Sequence, residues 1–281
     1  ADLVLVASGS EIERGSANGR QQVTFAAGPA RDFYLAASTK FVKISEKIGD
    51  TVVNSYAMPE REDAAREVLE VATTSLEIFN RIIGPYPYSE FDVVSTPMQG
   101  AIGIEYPGMT GINMLVYDPQ GELSGRPASE FLEATVAHEV GHQWFYNVVG
   151  NDQINEPWVD EALVQYITGL YFKERYGKEG YEGARASWLG RWQRTGNAEI
   201  PIGKPAGEYE GREYGAIVYG RGPLFFEALN KEIGDEAFSR FLQSYYAAQK
   251  WDIASGEELQ QTAEDSCGCD MDALFTKWVM P

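Results

Sequence analysis

The chain has 281 residues, with 23 Lys and Arg against 42 Asp and Glu, for a formal charge of −19. Its 44% apolar and 23% charged residues are the composition of a globular protein with a sizeable core, in one or two domains. So acidic a chain offers no basic face for nucleic acid or anionic lipid, and it holds no run of 18 apolar residues that would span a bilayer.

The opening stretch ADLVLVASGS has an apolar run of about five residues, too short for a signal-peptide core. With no initiator Met, the chain is expected to be processed or cut from something longer. Through residue 57, short runs alternate apolar and polar residues (LVLVA, QQVTFAA, DFYLAAS, KFVKI, TVVNSYAM), which predicts an antiparallel strand region. From Pro59 the period becomes helical: Ala64, Val68, Val71, Ala72, Leu76, Phe79 and Ile83 form one stripe, ended by Gly84-Pro85. Strands are predicted at 91–95, 101–106 and 112–117, then a loop at 118–129. Helices are predicted at 130–149, 157–176, 178–195, 213–231, 234–249, 255–265 and 271–279, with a long irregular connector at 196–212. Strands first and helices after give an α+β architecture in two layers. Cys267 and Cys269 are the only cysteines. One residue apart, they are poorly placed to bridge each other, and they are expected to be plain surface thiols, with a metal pair as the alternative.

The chain's two histidines, His138 and His142, fall in HEVGH with Glu139 between them. Four residues apart on a helix, two imidazoles share a face and can grip one metal ion, and the adjacent carboxylate can reach a water on it. Two helix-surface histidines are the plain alternative. A catalytic zinc commonly takes three protein ligands and keeps one position open. Eighteen residues lie between His142 and Glu161, in WVDEALVQYITGLYF, where Val159, Leu163, Tyr166, Ile167 and Leu170 line the apolar side of a second helix. An inward carboxylate there is costly unless it is paired or binds metal. An acid near a helix start is the alternative.

HEVGHQWF with that spacing to Glu161 resembles the gluzincin aminopeptidases, and within them the membrane alanyl aminopeptidase family, metallopeptidase family M-one. GPYPYSEFDVV at 84–94, GIEYPGM at 103–109 and VYGRGPLFF at 218–226 are similar to three further stretches of that family. The resemblance runs over roughly residues 30 to 281. It implies a thermolysin-like zinc catalytic domain at 58–281, mostly helical in its second half, after the remnant of an N-terminal antiparallel β domain at 1–57. It implies one Zn2+ per chain on His138, His142 and Glu161, with Glu139 as general base and acid. Tyr219 is expected to stabilise the oxyanion, with Tyr214, five residues upstream, as the alternative. The strand with Gly103 and Glu105 is expected to bind the substrate, Glu105 holding its α-ammonium. Arg221 is expected either to assist a substrate carbonyl or carboxylate or to be a surface charge.

The family's Gly-Ala-Met-Glu-Asn is here Ile102, Gly103, Ile104, Glu105 and Tyr106, its Asn-Glu-Gly-Phe is Asp160, Glu161, Ala162 and Leu163, and the segment after Tyr219 reads Gly220, Arg221, Gly222, Pro223. Pro223 suits a helix start, which would leave Tyr219 just outside that helix or on the last turn of a preceding one. The expected activity is removal of N-terminal residues from peptides with a free N-terminus. The rivals are a zinc endopeptidase on the same scaffold, a leukotriene-processing epoxide hydrolase of the same clan, and a non-catalytic interaction domain. Family habit points to an extracytoplasmic or membrane-anchored parent.

Overall fold

Alternating short runs become strands in the computed structural model, which describes residues 3–280. Residues 1, 2 and 281, included in the expected domain limits, lie outside the described residues. β1 (Val4–Ala7) is followed by β2 (Ser10–Ala17), which pairs with β3 (Arg20–Ala26) in a hairpin whose turn, Asn18-Gly19, has positive φ at both residues. That dipeptide matches the right-handed twist of the strands it joins. β4 (Leu35–Ser38) lies antiparallel to β1.

The main sheet is built from β5 (Val42–Ile48), β6 (Thr51–Ala57), β7 (Glu90–Thr96), β8 (Gly103–Tyr106) and β9 (Met109–Asn113). Its order is β5-β6-β7-β9-β8. β6, β7 and β9 run parallel, and the two outer strands are antiparallel to their neighbours. The parallel step from β6 to β7 needs a crossover, and helix α1 (Glu62–Ile82) supplies it. On α1 the buried stripe carries Val68, Val71, Ala72, Leu76 and Phe79 as expected, with Ala65 in place of Ala64. Val6, Ala36, Tyr56, Val94 and Met109 form an apolar cluster that ties the β1–β4 pair to the main sheet.

The expected division at 57/58 therefore cuts a hydrogen-bonded sheet, since β5 and β6 pair with β7 rather than with the strands before them. The chain divides instead into two compact units. One holds the chain up to Glu77 with Tyr86–Gln143, and the other holds Ile78–Pro85 with the chain from Trp144 onward.

In the first unit, the strand expected at 112–117 stops at Asn113, whose side chain accepts from Leu115 N and caps a 3-10 turn at Met114–Tyr117. The helix expected at 130–149 is only α2 (Leu132–Gly141), with His142 as its C-cap.

In the second unit the chain after α2 turns instead of continuing a helix. Tyr146 takes φ 109°, and Val149 N returns to Trp144 O. The helices expected at 157–176 and 178–195 are the two arms of α3 (Glu161–Trp192), broken at Gly177 with φ 69° and ψ −155°. The arms fold onto each other: a Cβ at Gly169 would lie 2.5 Å from the Trp188 ring. α4 (Glu213–Ala216) and α5 (Gly222–Ile233) are joined by a π-helical turn at Ile217–Arg221, so Tyr219 sits on that turn. Pro223 stands at the start of α5, where its missing N–H costs nothing. α6 (Asp235–Gln249), α7 (Gly256–Cys267) and α8 (Asp272–Trp278) complete the unit around an aromatic core of Trp158, Phe225, Phe226 and Phe275.

Cys267 and Cys269 are joined in a disulfide, which corrects the expectation of surface thiols. Gly268 between them adopts the left-handed conformation at the end of α7 and brings the two Cα atoms to 5.2 Å, within bridging range. Among the described residues no helix is long and apolar enough to cross a membrane.

Candidate metal centre

α2 is a buried helix, with all but two of its residues inside the fold, and this sets its chemistry. His142 is buried and His138 is 9% exposed. Their Nε2 atoms are 3.2 Å apart and their rings stand edge to face at 84°. Two zinc-bound imidazole nitrogens, at about 2.0–2.1 Å from the ion, sit about 3.3–3.4 Å apart across a tetrahedral angle, so the pair is already spaced for one ion. Two imidazoles and one carboxylate are a donor set that suits zinc.

Glu139 follows the first histidine and is 5% exposed. Its side chain runs across β8. A Cβ on Gly103 would lie 2.2 Å from Glu139 Oε1, 2.5 Å from Cδ and 2.6 Å from Cγ. Only glycine leaves room for that carboxylate. Side chains alternate along a strand, so Glu105, two residues on, lies on the Glu139 side of β8. Among the described residues β8 is an edge strand and pairs only with β9.

Glu161 begins α3. Asp160, 1% exposed, caps that helix: its Oδ1 accepts from Glu161 N at 2.8 Å and from Asn151 Nδ2 at 3.0 Å, and its Oδ2 accepts from Gln153 Nε2 at 2.9 Å. Tyr219 donates a hydrogen bond to the Glu161 carboxylate, and its pKa is pushed well above the ordinary value, first by burial and then by that negative charge. Glycines make the approach possible. A Cβ on Gly222 would lie 2.5 Å from Ala162 Cβ, and one on Gly220 would lie 2.7 Å from Trp192 N. The π-helical turn thus seats against both arms of α3 and turns Tyr219 onto Glu161. Tyr214 packs edge-on against Tyr219, with ring centres 5.8 Å apart. Burial raises its pKa as well.

Arg221 is placed otherwise than expected. It is 2% exposed, so it is no surface charge. Its guanidinium donates to the carbonyls of Ile200 (3.1 Å), Trp278 (2.8 Å) and Lys277 (3.4 Å) and lies over the Trp278 ring at 4.5 Å. It pins the end of the chain to the 196–212 connector.

The sequence reading passed over two residues beside the motifs. One is Asp160, although an acid directly before a helical run signals an N-cap. The other is Gln143, fully buried after His142, which bonds the turn between β8 and β9 through both ends of its amide.

Residues 67–278 match the model of the peptidase family M1 domain. Among characterised proteins the chain is 23% identical over 290 residues to Aminopeptidase 2 of Candida albicans, covering 99% of this chain and 31% of that protein. It is 24% identical over 292 residues to Aminopeptidase M1 of Arabidopsis thaliana, covering 99% and 32%. It is 22% identical over 287 residues to the Tricorn protease-interacting factor F2 of Thermoplasma volcanium, covering 97% and 35%. The chain thus spans about a third of the length of these relatives.

Proposed function

Because the chain belongs to peptidase family M1, we propose that it is a zinc-dependent aminopeptidase that hydrolyses the first peptide bond of peptides with a free N-terminus. The observation that carries this reading is the pair of imidazole nitrogens of His138 and His142, 3.2 Å apart, with the buried Glu139 carboxylate beside them. With Glu161, the two histidines would hold one zinc ion per chain. When bound, zinc supplies Lewis acidity toward a carbonyl and makes water easier to deprotonate.

The chain's own groups do the rest. Glu139 takes a proton from the attacking water and delivers it to the leaving amine as the C–N bond breaks. The Tyr219 hydroxyl, a neutral donor at physiological pH, turns from Glu161 to the oxygen that becomes negative. Glu105 holds the substrate's α-ammonium by a charge-assisted hydrogen bond, and the open edge of β8 accepts the extended substrate backbone. Gly103 leaves the substrate strand and Glu139 in contact. The names of the relatives, aminopeptidases from a yeast and a plant, support the same activity.

The test has two parts. Elemental analysis of the purified chain should give about one zinc, lost in His142→Ala. A free peptide should be cut one residue at a time, and its N-acetylated twin scarcely at all. Zinc retained at full occupancy in His142→Ala would remove the ligand assignment. Equal cleavage of both peptides, with internal cuts, would make the protein an endopeptidase.

A further inference from the structure

α2 and the turn that ends it carry the groups of the site: His138 and Glu139 on the helix, His142 at its C-cap and Gln143 on the turn just after it, where Gln143 N bonds Val140 O at 3.0 Å. Glu139 and Gln143 both touch the strand proposed to receive the substrate: Glu139 against Gly103, at the start of β8, and Gln143 against the turn at its end. Gln143 is wholly buried. Its Nε2 donates to Tyr106 O at 3.0 Å, and its Oε1 accepts from Gly108 N at 3.0 Å. The amide thus serves that turn as a neighbouring strand would, with one donor and one acceptor. β8 is only four residues long; besides the Gln143 amide it is held by β9, by Thr110 Oγ1, which donates to Ile104 O at 2.8 Å, and by the Tyr106 ring, which stacks on Tyr34 at 4.4 Å without fixing the main chain of the turn.

We infer that Gln143 is a positioning residue for recognition of the substrate's free amine: by clamping the β8–β9 turn to the C-terminal end of α2 it sets where Glu105 stands relative to Glu139. This rests on the role proposed above for Glu105. The clamp is rigid because both partners are main-chain groups and the side chain has no solvent to exchange with. A strand released from it would slide or fray at its Tyr106 end, next to Glu105. The substrate's ammonium would lose its anchor while α2, with both histidines and Glu139, kept its place.

Two variants separate this from a general packing role. Gln143→Met keeps length and volume but removes both hydrogen bonds. Gln143→Glu keeps the acceptor for Gly108 N and removes the donor to Tyr106 O. Each zinc-loaded variant is compared with the parent on a free peptide and its N-acetylated twin, and amide hydrogen exchange is followed in residues 103–106. The expected result is unchanged zinc content, faster exchange in β8, and a fall of about tenfold in the preference for the free peptide, carried mainly by KM. An equal loss on both peptides, or protection of β8 at the parent's level, would overturn the inference while leaving the proposed function intact. A parent that shows no preference for the free peptide would overturn both. Loss of folding in both variants would make Gln143 a core residue and also overturn it.

Discussion

Adding one methyl group at Gly103 tests the contact between strand and base. In Gly103→Ala the new Cβ would start 2.2 Å from Glu139 Oε1 and 2.6 Å from its Cγ. Non-bonded atoms rest at about 3.5 Å or more, so the separation must open by roughly 1 Å. The atoms in the way belong to the Glu139 side chain and not to main chain, so rotation of that side chain relieves the overlap more cheaply than movement of β8. Folding should therefore survive and the base should be misplaced. A displacement of about 1 Å in a catalytic group costs about 10²-fold in rate, or about 2.7 kcal/mol at the transition state. The assay is kcat and KM on an aminoacyl amide, beside zinc content and thermal midpoint. We expect kcat to fall about 10²-fold with zinc retained. A rise in KM at unchanged kcat would mean that Gly103 only lines the substrate, and full activity would refute the contact between Gly103 and Glu139.

The remaining expectations concern the other named groups. Glu139→Gln should keep zinc and lose about 10²–10⁴-fold in kcat, because the amide cannot take a proton; near-wild-type turnover would remove it as the base. Tyr219→Phe should lower kcat by about 10²–10³-fold with zinc and KM little changed, and an active Tyr219→Phe beside an inactive Tyr214→Phe would transfer the role to Tyr214. Arg221→Met should lower stability by about 2–4 kcal/mol, since the carbonyls of Trp278 and Ile200 lose their donor; a raised KM at an unchanged denaturation midpoint would restore a substrate role. Asp92 is raised by burial from 3.8 to about 7, against the opposing hydrogen bond from Asn54. The folded state therefore holds its proton more tightly than the unfolded chain. The stability it contributes is full below about pH 4 and is lost as pH rises through about 7, up to about 4 kcal/mol in all. Asp92→Asn should thus gain stability over the parent as pH rises from 5 to 8, and a gap that does not change with pH in denaturant titrations would contradict this.

Local spacing determined much of this protein. HEVGH needs only one helical turn to bring two imidazoles together, and the sequence alone placed it on a helix. The apolar run around Glu161 marked a second helix, expected at 157–176, with a carboxylate near its start, and the alternation around Gly103 and Glu105 marked a strand. Each is a property of a few consecutive residues. What the tertiary structure decided depends on partners far away in sequence. The joining of β5 and β6 to β7 rests on a parallel crossover through α1, which no local pattern reports. The end of α2 at Gly141 is decided by the turn that follows it, and the fold of α3 onto itself by Gly169 lying under Trp188. Arg221 reads as a loose charge in VYGRG, and only the packing of α8 brings the Trp278 and Lys277 carbonyls to it. Gln143 follows the metal motif without distinction in sequence, because both of its hydrogen bonds go to main chain 35 and 37 residues away, groups that carry no residue signature.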